Sequence, residues 1–130
     1  MILDTSAAIA ILKYEPEAQR FSDAVEQDSD CCISAATYLE AATVVDSVRD
    51  PILSRRLDDL IRDGEIRIEP VTEAQAKIAR GAYRDFGKGS GHPAQLNFGD
   101  CFAYALARDT GQRLLFKGEN FSKTDLTPAL

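Results

Sequence analysis

The stretch that most constrains this chain is its first eight residues, Met1-Ile2-Leu3-Asp4-Thr5-Ser6-Ala7-Ala8, where an apolar run stops at a carboxylate. Ile2 and Leu3 suit a short buried strand. Thr5 and Ser6 are residue types that cap helices, and Ala7 to Leu12 continue as a nearly unbroken apolar segment suited to one. Asp4 therefore falls where a strand hands over to a helix. In parallel α/β sheets that edge is where loops converge, helix N-termini point and ligands bind. A strand-end aspartate has a plainer use too, capping the helix that follows. Other acids gathered at the same edge would favour the first use.

The rest of the chain repeats the strand-to-helix alternation. Lys13-Tyr14-Glu15-Pro16 breaks the first helix, Glu17 to Gln27 predicts a second that buries Ala18, Phe21 and Val25, and Asp28-Ser29-Asp30 predicts a turn. Cys31-Cys32-Ile33 reads as a buried strand, and Ser34 caps a helix from about Ala35 to Val48. The apolar stripe of that helix is read as Ala36, Leu39 and Thr43 with Val44 and Val45, which sets Glu40 beside the buried face. Asp50-Pro51 opens a helix carrying Leu53, Leu57, Leu60 and Ile61, with Gly64 as its left-handed terminator. Glu65 to Glu69 alternates at the strand period, and Thr72 with Gln75 forms a capping box for a helix bearing Ala76, Ile78, Ala79, Ala82, Tyr83 and Phe86. Gly87-Lys88-Gly89-Ser90-Gly91-His92-Pro93 is read as an exposed, flexible loop. It lacks the strand and the Gly-Lys-Ser/Thr frame of a phosphate-binding P-loop. Asn97 caps a helix with Asp100 in its first turn, Gly111 ends it, and Leu114-Leu115-Phe116 forms the last strand before Gly118-Glu119-Asn120. The expected fold class is α/β: a mostly parallel sheet of four to five short strands with helices on both faces, in one domain spanning residues 1–130.

Several function classes drop out on composition. The chain has no membrane-length apolar run, and its apolar N-terminus meets Asp4 without a basic flank, so no membrane partner and a cytoplasmic location are expected. Three cysteines, two of them adjacent, and a single histidine make neither a disulfide framework nor a zinc signature. The formal net charge of −6 opposes nucleic-acid binding unless a metal or a local basic rim offsets it.

Four acids occupy equivalent places: Asp4 after the first strand, Glu40 near the start of the helix after the second, Asp100 in a first helical turn, and Glu119 after the last strand. In a parallel sheet all four fall on the carboxyl edge. Carboxylates within ~4–6 Å raise one another's pKa, so such a cluster requires compensation. Mg²⁺ or Mn²⁺ would supply it, since both prefer oxygen ligands and keep waters and open positions for phosphate oxygens. Such an ion activates water and stabilises the charge that develops on a phosphodiester. Read one at a time, Asp100 complements a helix dipole, Glu40 is solvated and Glu119 is a loop charge; read jointly, the four predict metal-dependent phosphodiester hydrolysis.

Met1 to Ala7, Ser34-Ala35-Ala36-Thr37-Tyr38-Leu39-Glu40-Ala41, Gly87-Lys88-Gly89 with His92-Pro93-Ala94, Leu96 to Ala107, and Leu114 to Gly118 with Phe121 to Asp125 closely resemble the PIN-domain toxins of VapBC toxin–antitoxin modules. The resemblance spans essentially the whole chain. It implies a PIN-like α/β/α sandwich, a Mg²⁺-dependent endoribonuclease also supported by Mn²⁺, a homodimer that joins a hetero-oligomer with its antitoxin, and inhibition by a cognate VapB antitoxin. Asp4, Glu40 and Asp100 match the family's three metal-site acids. Many relatives carry an aspartate just before the residue that is Phe121 here. This chain has Asn120 in that place, preceded by Glu119, so either Glu119 or a water-holding Asn120 stands for the fourth acid.

On this reading Asp4 and Asp100 hold the metal directly, while Glu40 and Glu119 bind through water or activate it. Thr5 and Ser6 bind the metal, orient Asp4 or cap the helix. Asn97 orients a carboxylate or caps. Lys13, Lys88, Lys117 and His92 form the basic rim that meets phosphates of an RNA, whether transfer, ribosomal or messenger. An antitoxin's basic tail would enter the acidic pocket while its apolar helix packs against Ile9 to Tyr14 and Val44 to Leu57. Two rivals stand beside this. An aspartyl-nucleophile phosphatase usually has a second aspartate two positions on, where this chain has Ser6. A noncatalytic PIN-like module would bind RNA or protein as a scaffold and need no metal.

Overall fold

The computed structural model describes all of residues 1–130. Strand β1 (Ile2–Leu3) is followed by helices α1 (Thr5–Leu12) and α2 (Ala18–Gln27), then strand β2 (Cys32–Ser34) and helices α3 (Ala35–Asp46) and α4 (Pro51–Asp63). Strand β3 (Arg67–Glu69), helices α5 (Glu73–Phe86) and α6 (Phe98–Thr110), strand β4 (Leu114–Leu115) and a 3₁₀ turn at Phe121–Lys123 complete the chain. All strand pairs are parallel and the sheet order is β3-β2-β1-β4. The strands number four. The stretch near Pro128 adds one parallel bridge to Leu114, backed by Leu114 N–H donating to Thr127 O at 3.0 Å and Ala129 N–H to Leu114 O at 2.8 Å.

Strands two or three residues long hold because the period-2 alternation of their side chains supplies two cores at once. The register pairs Ile2 with Cys32 and Leu114, and these three point to one face, where they pack with Ala82, Leu96, Cys101, Ala103 and Leu106 beneath α5 and α6. Leu3, Ile33 and Leu115 point to the other face and meet Ala7, Ala8, Ala10, Phe21 and Val25 of α1 and α2. A smaller cluster of Leu12, Val45, Leu53 and Leu57 joins α1, α3 and α4. Helix α1 is apolar on nearly every side because it lies among the sheet, α2, α3 and α4, and only small alanines allow that approach. No helix is long and apolar enough to cross a membrane.

Four local expectations are corrected. The cap of α1 is Asp4, whose Oδ2 accepts the Ser6 N–H at 2.9 Å; Thr5 and Ser6 are already helical. The buried face of α3 is Thr37, Ala41 and Val45, whereas Leu39 is 64% exposed and Thr43 is exposed. A helix apolar on several sides gives little amphipathic signal from which to choose its inner face. At the end of α4, Gly64 has φ −77° and the left-handed residue is Glu65, at φ 50°. Gly64 is required by space: a Cβ there would lie 2.8 Å from Leu60 O and 2.9 Å from Val25 Cγ1. Only the Thr72 half of the α5 capping box forms. The Gln75 side chain is buried and reaches 3.4 Å to Asp109 on α6 instead.

Because backbone and a packed valine both block the added methyl, Gly64→Ala should destabilise the fold by about 1–3 kcal/mol, the usual cost of overpacking. Urea unfolding should show this as a lower midpoint with unchanged slope.

Candidate metal centre at the carboxyl edge of the sheet

Asp4 leaves the end of β1 with its backbone N–H still in the sheet, donating to Leu115 O at 3.0 Å. The residue is buried, 3% exposed. Ser6 serves it twice, through N–H at 2.9 Å and Oγ–H at 2.7 Å, both to Oδ2. The Ser6 hydroxyl in turn accepts the Lys117 N–H at 2.9 Å, so the residue just past β4 braces the Asp4 cap.

Ser34, fully buried at the end of β2, caps α3 by accepting the Ala36 N–H at 3.3 Å. This cap places Glu40 in the second turn of α3, half-buried, where Thr5 Oγ1 donates to its Oε1. Asp100 sits three residues after the Asn97 cap of α6 in a complete capping box: Asp100 N–H donates to Asn97 Oδ1 at 2.8 Å, and Asn97 N–H donates to Asp100 Oδ2 at 2.9 Å. Two of the plainer readings are therefore correct as geometry, since Asp4 and Asp100 both serve helix ends. They are also neighbours of a third acid. Burial pushes the Asp4 pKa up from 3.8 to about 6 against the pull of its Ser6 hydrogen bonds, and the charges of Asp100 and Glu40 push it further. Burial raises Asp100 as well, against the Asn97 N–H, with Glu40 adding repulsion and Lys88 partly relieving it. No cationic side chain forms an ion pair with any of the three.

One oxygen of each acid is fixed by its own scaffold: Asp4 Oδ2 by Ser6, Glu40 Oε1 by Thr5, Asp100 Oδ2 by Asn97. The opposite oxygens, Asp4 Oδ1, Glu40 Oε2 and Asp100 Oδ1, receive no hydrogen bond from the protein. As the side chains stand, no three His, Cys, Asp or Glu groups lie close enough to grip one ion directly. Mutually repelling carboxylates with one free oxygen each suit a hard cation that keeps part of its water shell, as Mg²⁺ and Mn²⁺ do, and do not suit zinc.

The remaining expected residues divide. Glu119 and Asn120 are exposed, and the main charges acting on Asp4 and Asp100 are those of Glu40, Asp100 and Lys88. Lys88 lies close enough to Asp100 to act on it. Two backbone bonds close the base of its loop, Lys88 N–H to Leu96 O and Leu96 N–H to Phe86 O, both 2.9 Å, while Gly89 and Gly91 take positive φ at the exposed tip. Lys117 is occupied: its Nζ is 2.7 Å from Glu15 Oε2 and 3.2 Å from Glu17 Oε2. Lys13 is exposed beyond α1 with no ion pair. His92 packs edge-on against Phe86 at 4.9 Å, and its Nδ1 accepts the Ala94 N–H at 3.1 Å, leaving Nε2 as its one free ring nitrogen.

The sequence reading missed Gly99, whose Cα faces the Glu40 carboxylate directly. Its one visible signal was a glycine in the first turn of a helix, where alanine is preferred. It also missed the acids Glu15 and Glu17 that hold Lys117, about a hundred residues away along the chain.

Comparison with known proteins agrees with this architecture. The PIN domain family matches residues 1–126. Ribonuclease VapC28 of Mycobacterium tuberculosis is 55% identical over 130 residues, covering 100% of this chain and 98% of the relative. Ribonuclease VapC30 of the same organism is 47% identical over 126 residues, covering 97% and 95%. The solved structure of M. tuberculosis VapC20, described as a sarcin-ricin loop cleaving toxin, aligns with TM-score 0.73 over 97% of this chain and 95% of its own at 16% identity, a likeness of fold. With one family spanning nearly all of the sequence and named ribonucleases matching it end to end, the chain belongs to the PIN-domain family, among the VapC ribonucleases.

Proposed function

We propose that this chain is a cytoplasmic toxin that cleaves RNA as a Mg²⁺- or Mn²⁺-dependent endoribonuclease, with Asp4, Glu40 and Asp100 holding the ion. The reading is carried by three carboxylates from three separate elements, of which Glu40 adds repulsion to Asp4 and Asp100, that form no ion pair and each leave one oxygen without a hydrogen bond. When bound, the ion supplies a water of lowered pKa and neutralises charge on the phosphodiester oxygens. Ser6 and Asn97 fix Asp4 and Asp100 in place. Glu40, half-buried and hydrogen-bonded to Thr5 alone, is the acid free to orient or deprotonate the attacking water. Glu119 or Asn120, on the exposed segment after β4, acts as the fourth group through water. Lys88 and Lys13 meet RNA phosphates, and His92 offers Nε2 as a donor. Three unpaired, buried cysteines are compatible with a reducing cytoplasm.

Inhibition falls to a VapB-type antitoxin. The groove between α1, α2 and α4 is lined by Ile11, Leu12, Val25 and Leu60 and edged by Glu26, Asp59 and Asp63, which suits an apolar helix with basic flanks. Tyr14, 71% exposed under the Arg56 guanidinium at 4.5 Å, stands at its rim.

Three outcomes are expected. In the presence of Mg²⁺ the purified protein should cleave RNA, and Asp4→Asn, Glu40→Gln and Asp100→Asn should each lower the rate by about two orders of magnitude or more, with a smaller loss for Glu119→Gln. Fragment yield under single-turnover conditions measures this; an Asp4→Asn protein as active as the parent would refute the assignment and favour the scaffold reading.

The second concerns pH. Because the folded pKa of Asp4 is above the unfolded value, the folded state holds more protons between about pH 4 and pH 6. Metal-free stability should therefore fall as pH rises through that window, the full cost at neutral pH being roughly 3 kcal/mol for a rise to about 6. Asp4→Asn should stabilise the metal-free protein at pH 7.5 and lose that advantage towards pH 4, while Mn²⁺ should raise the melting temperature of the parent but not of Asp4→Asn. Thermal unfolding across pH tests both signs.

For the third, Leu60→Glu should abolish co-purification with the antitoxin and leave RNA cleavage intact, read by pull-down and by the same cleavage assay.

A further inference from the structure

Gly99 is the second residue of α6, immediately before Asp100, and its backbone lies outside the left-handed region. Nothing in its conformation requires glycine, and alanine is the better helix former there. What a side chain would meet is the Glu40 carboxylate: a Cβ at Gly99 would overlap Oε2 and lie 2.7 Å from Cδ and 2.9 Å from Oε1. No other atom lies among the three nearest to that position. The same carboxylate accepts a hydrogen bond at Oε1 from Thr5 Oγ1.

We infer that Gly99 is a positioning residue, its bare Cα holding open the space in which the Glu40 carboxylate sits against α6, while the Thr5 hydroxyl sets the rotation of that carboxylate. The two residues belong to the first turns of α6 and α1, the same turns that carry Asp100 and follow Asp4. The seat of the third acid is thereby built from the helices that present the other two. A methyl at position 99 would displace the carboxylate from this seat, and because the displaced atoms are the far end of a flexible side chain, the fold itself absorbs the change. Gly99 thus costs helix stability and keeps carboxylate geometry. This rests on the reading of Asp4, Glu40 and Asp100 as the ion-holding acids.

The test is Mn²⁺ calorimetry and metal-free thermal unfolding of the full chain as the parent, Glu40→Gln, Glu40→Asp, Gly99→Ala and the Gly99→Ala/Glu40→Asp pair. Gly99→Ala should weaken Mn²⁺ binding roughly 10–100-fold, the loss typical when a ligand's support is disturbed. Its metal-free melting temperature should be equal to or above that of the parent. In the double variant the shorter aspartate leaves room for the methyl, so the penalty of Gly99→Ala should shrink or vanish relative to Glu40→Asp alone, a non-additivity that a general packing defect would not produce. Parent-like Mn²⁺ affinity in Gly99→Ala, with affinity lost in Glu40→Gln, would overturn the inference. So would a lowered metal-free melting temperature with no recovery in the double variant. A parent that binds no Mn²⁺, or Glu40→Gln binding as the parent does, would instead overturn the site reading and the inference with it.

Discussion

A carboxylate kept out of water at the end of the central strand is the constraint around which this fold is arranged. Asp4 has to be reached by β1, must cap α1, and carries a cost of burial that its two bonds from Ser6 do not cancel. Glu40 and Asp100 raise that cost. A chain selected only for stability would place asparagine or serine there, both of which cap helices without charge. That the charge persists, with acids and not lysines as its nearest ionic neighbours, is the physical reason to look for a cation.

The scaffold answers with redundancy. Asp4 caps α1 and Asp100 lies in the first turn of α6, where unpaired N–H groups and the helix dipole favour negative charge, while Glu40 follows one turn further into α3. Neighbouring elements brace the caps: Lys117 N–H steadies Ser6, Thr5 steadies Glu40, and Asn97 and Asp100 satisfy each other. Short strands are enough beneath this edge because β1, β2 and β4 each contribute one residue to either core, and the alanines of α1 and α6 let the helices approach closely.

The order of elements could be read from the sequence because it follows from apolar runs ending at turn residues, and the places of Asp4 and Asp100 because one closes a strand and the other lies in the first turn of a helix. The left-handed Gly111 and the Asn97 cap were legible for the same local reason. What the sequence hid was decided by contacts between distant parts. The inner face of α3 depends on which of several apolar sides meets α1 and α6. Gly64 is dictated by Val25 and Leu60 and not by its own torsion angle. Ile68, alternating as a strand residue should, is 42% exposed because β3 is the edge of the sheet. Lys117, read as part of a basic rim, is held by Glu15 and Glu17, a pairing that no local pattern announces.

Helix α1 also sets a length scale. Its first residue adjoins the Asp4 cap and its last contributes to the groove at Ile11, Leu12 and Tyr14, so two turns, about 12 Å of rod, separate the acidic edge from that groove. An extended peptide covers this span in roughly four residues. Any molecule anchored in the groove therefore stands a few peptide units from the carboxylates, and a short tail suffices to connect recognition at one end of the rod with obstruction at the other.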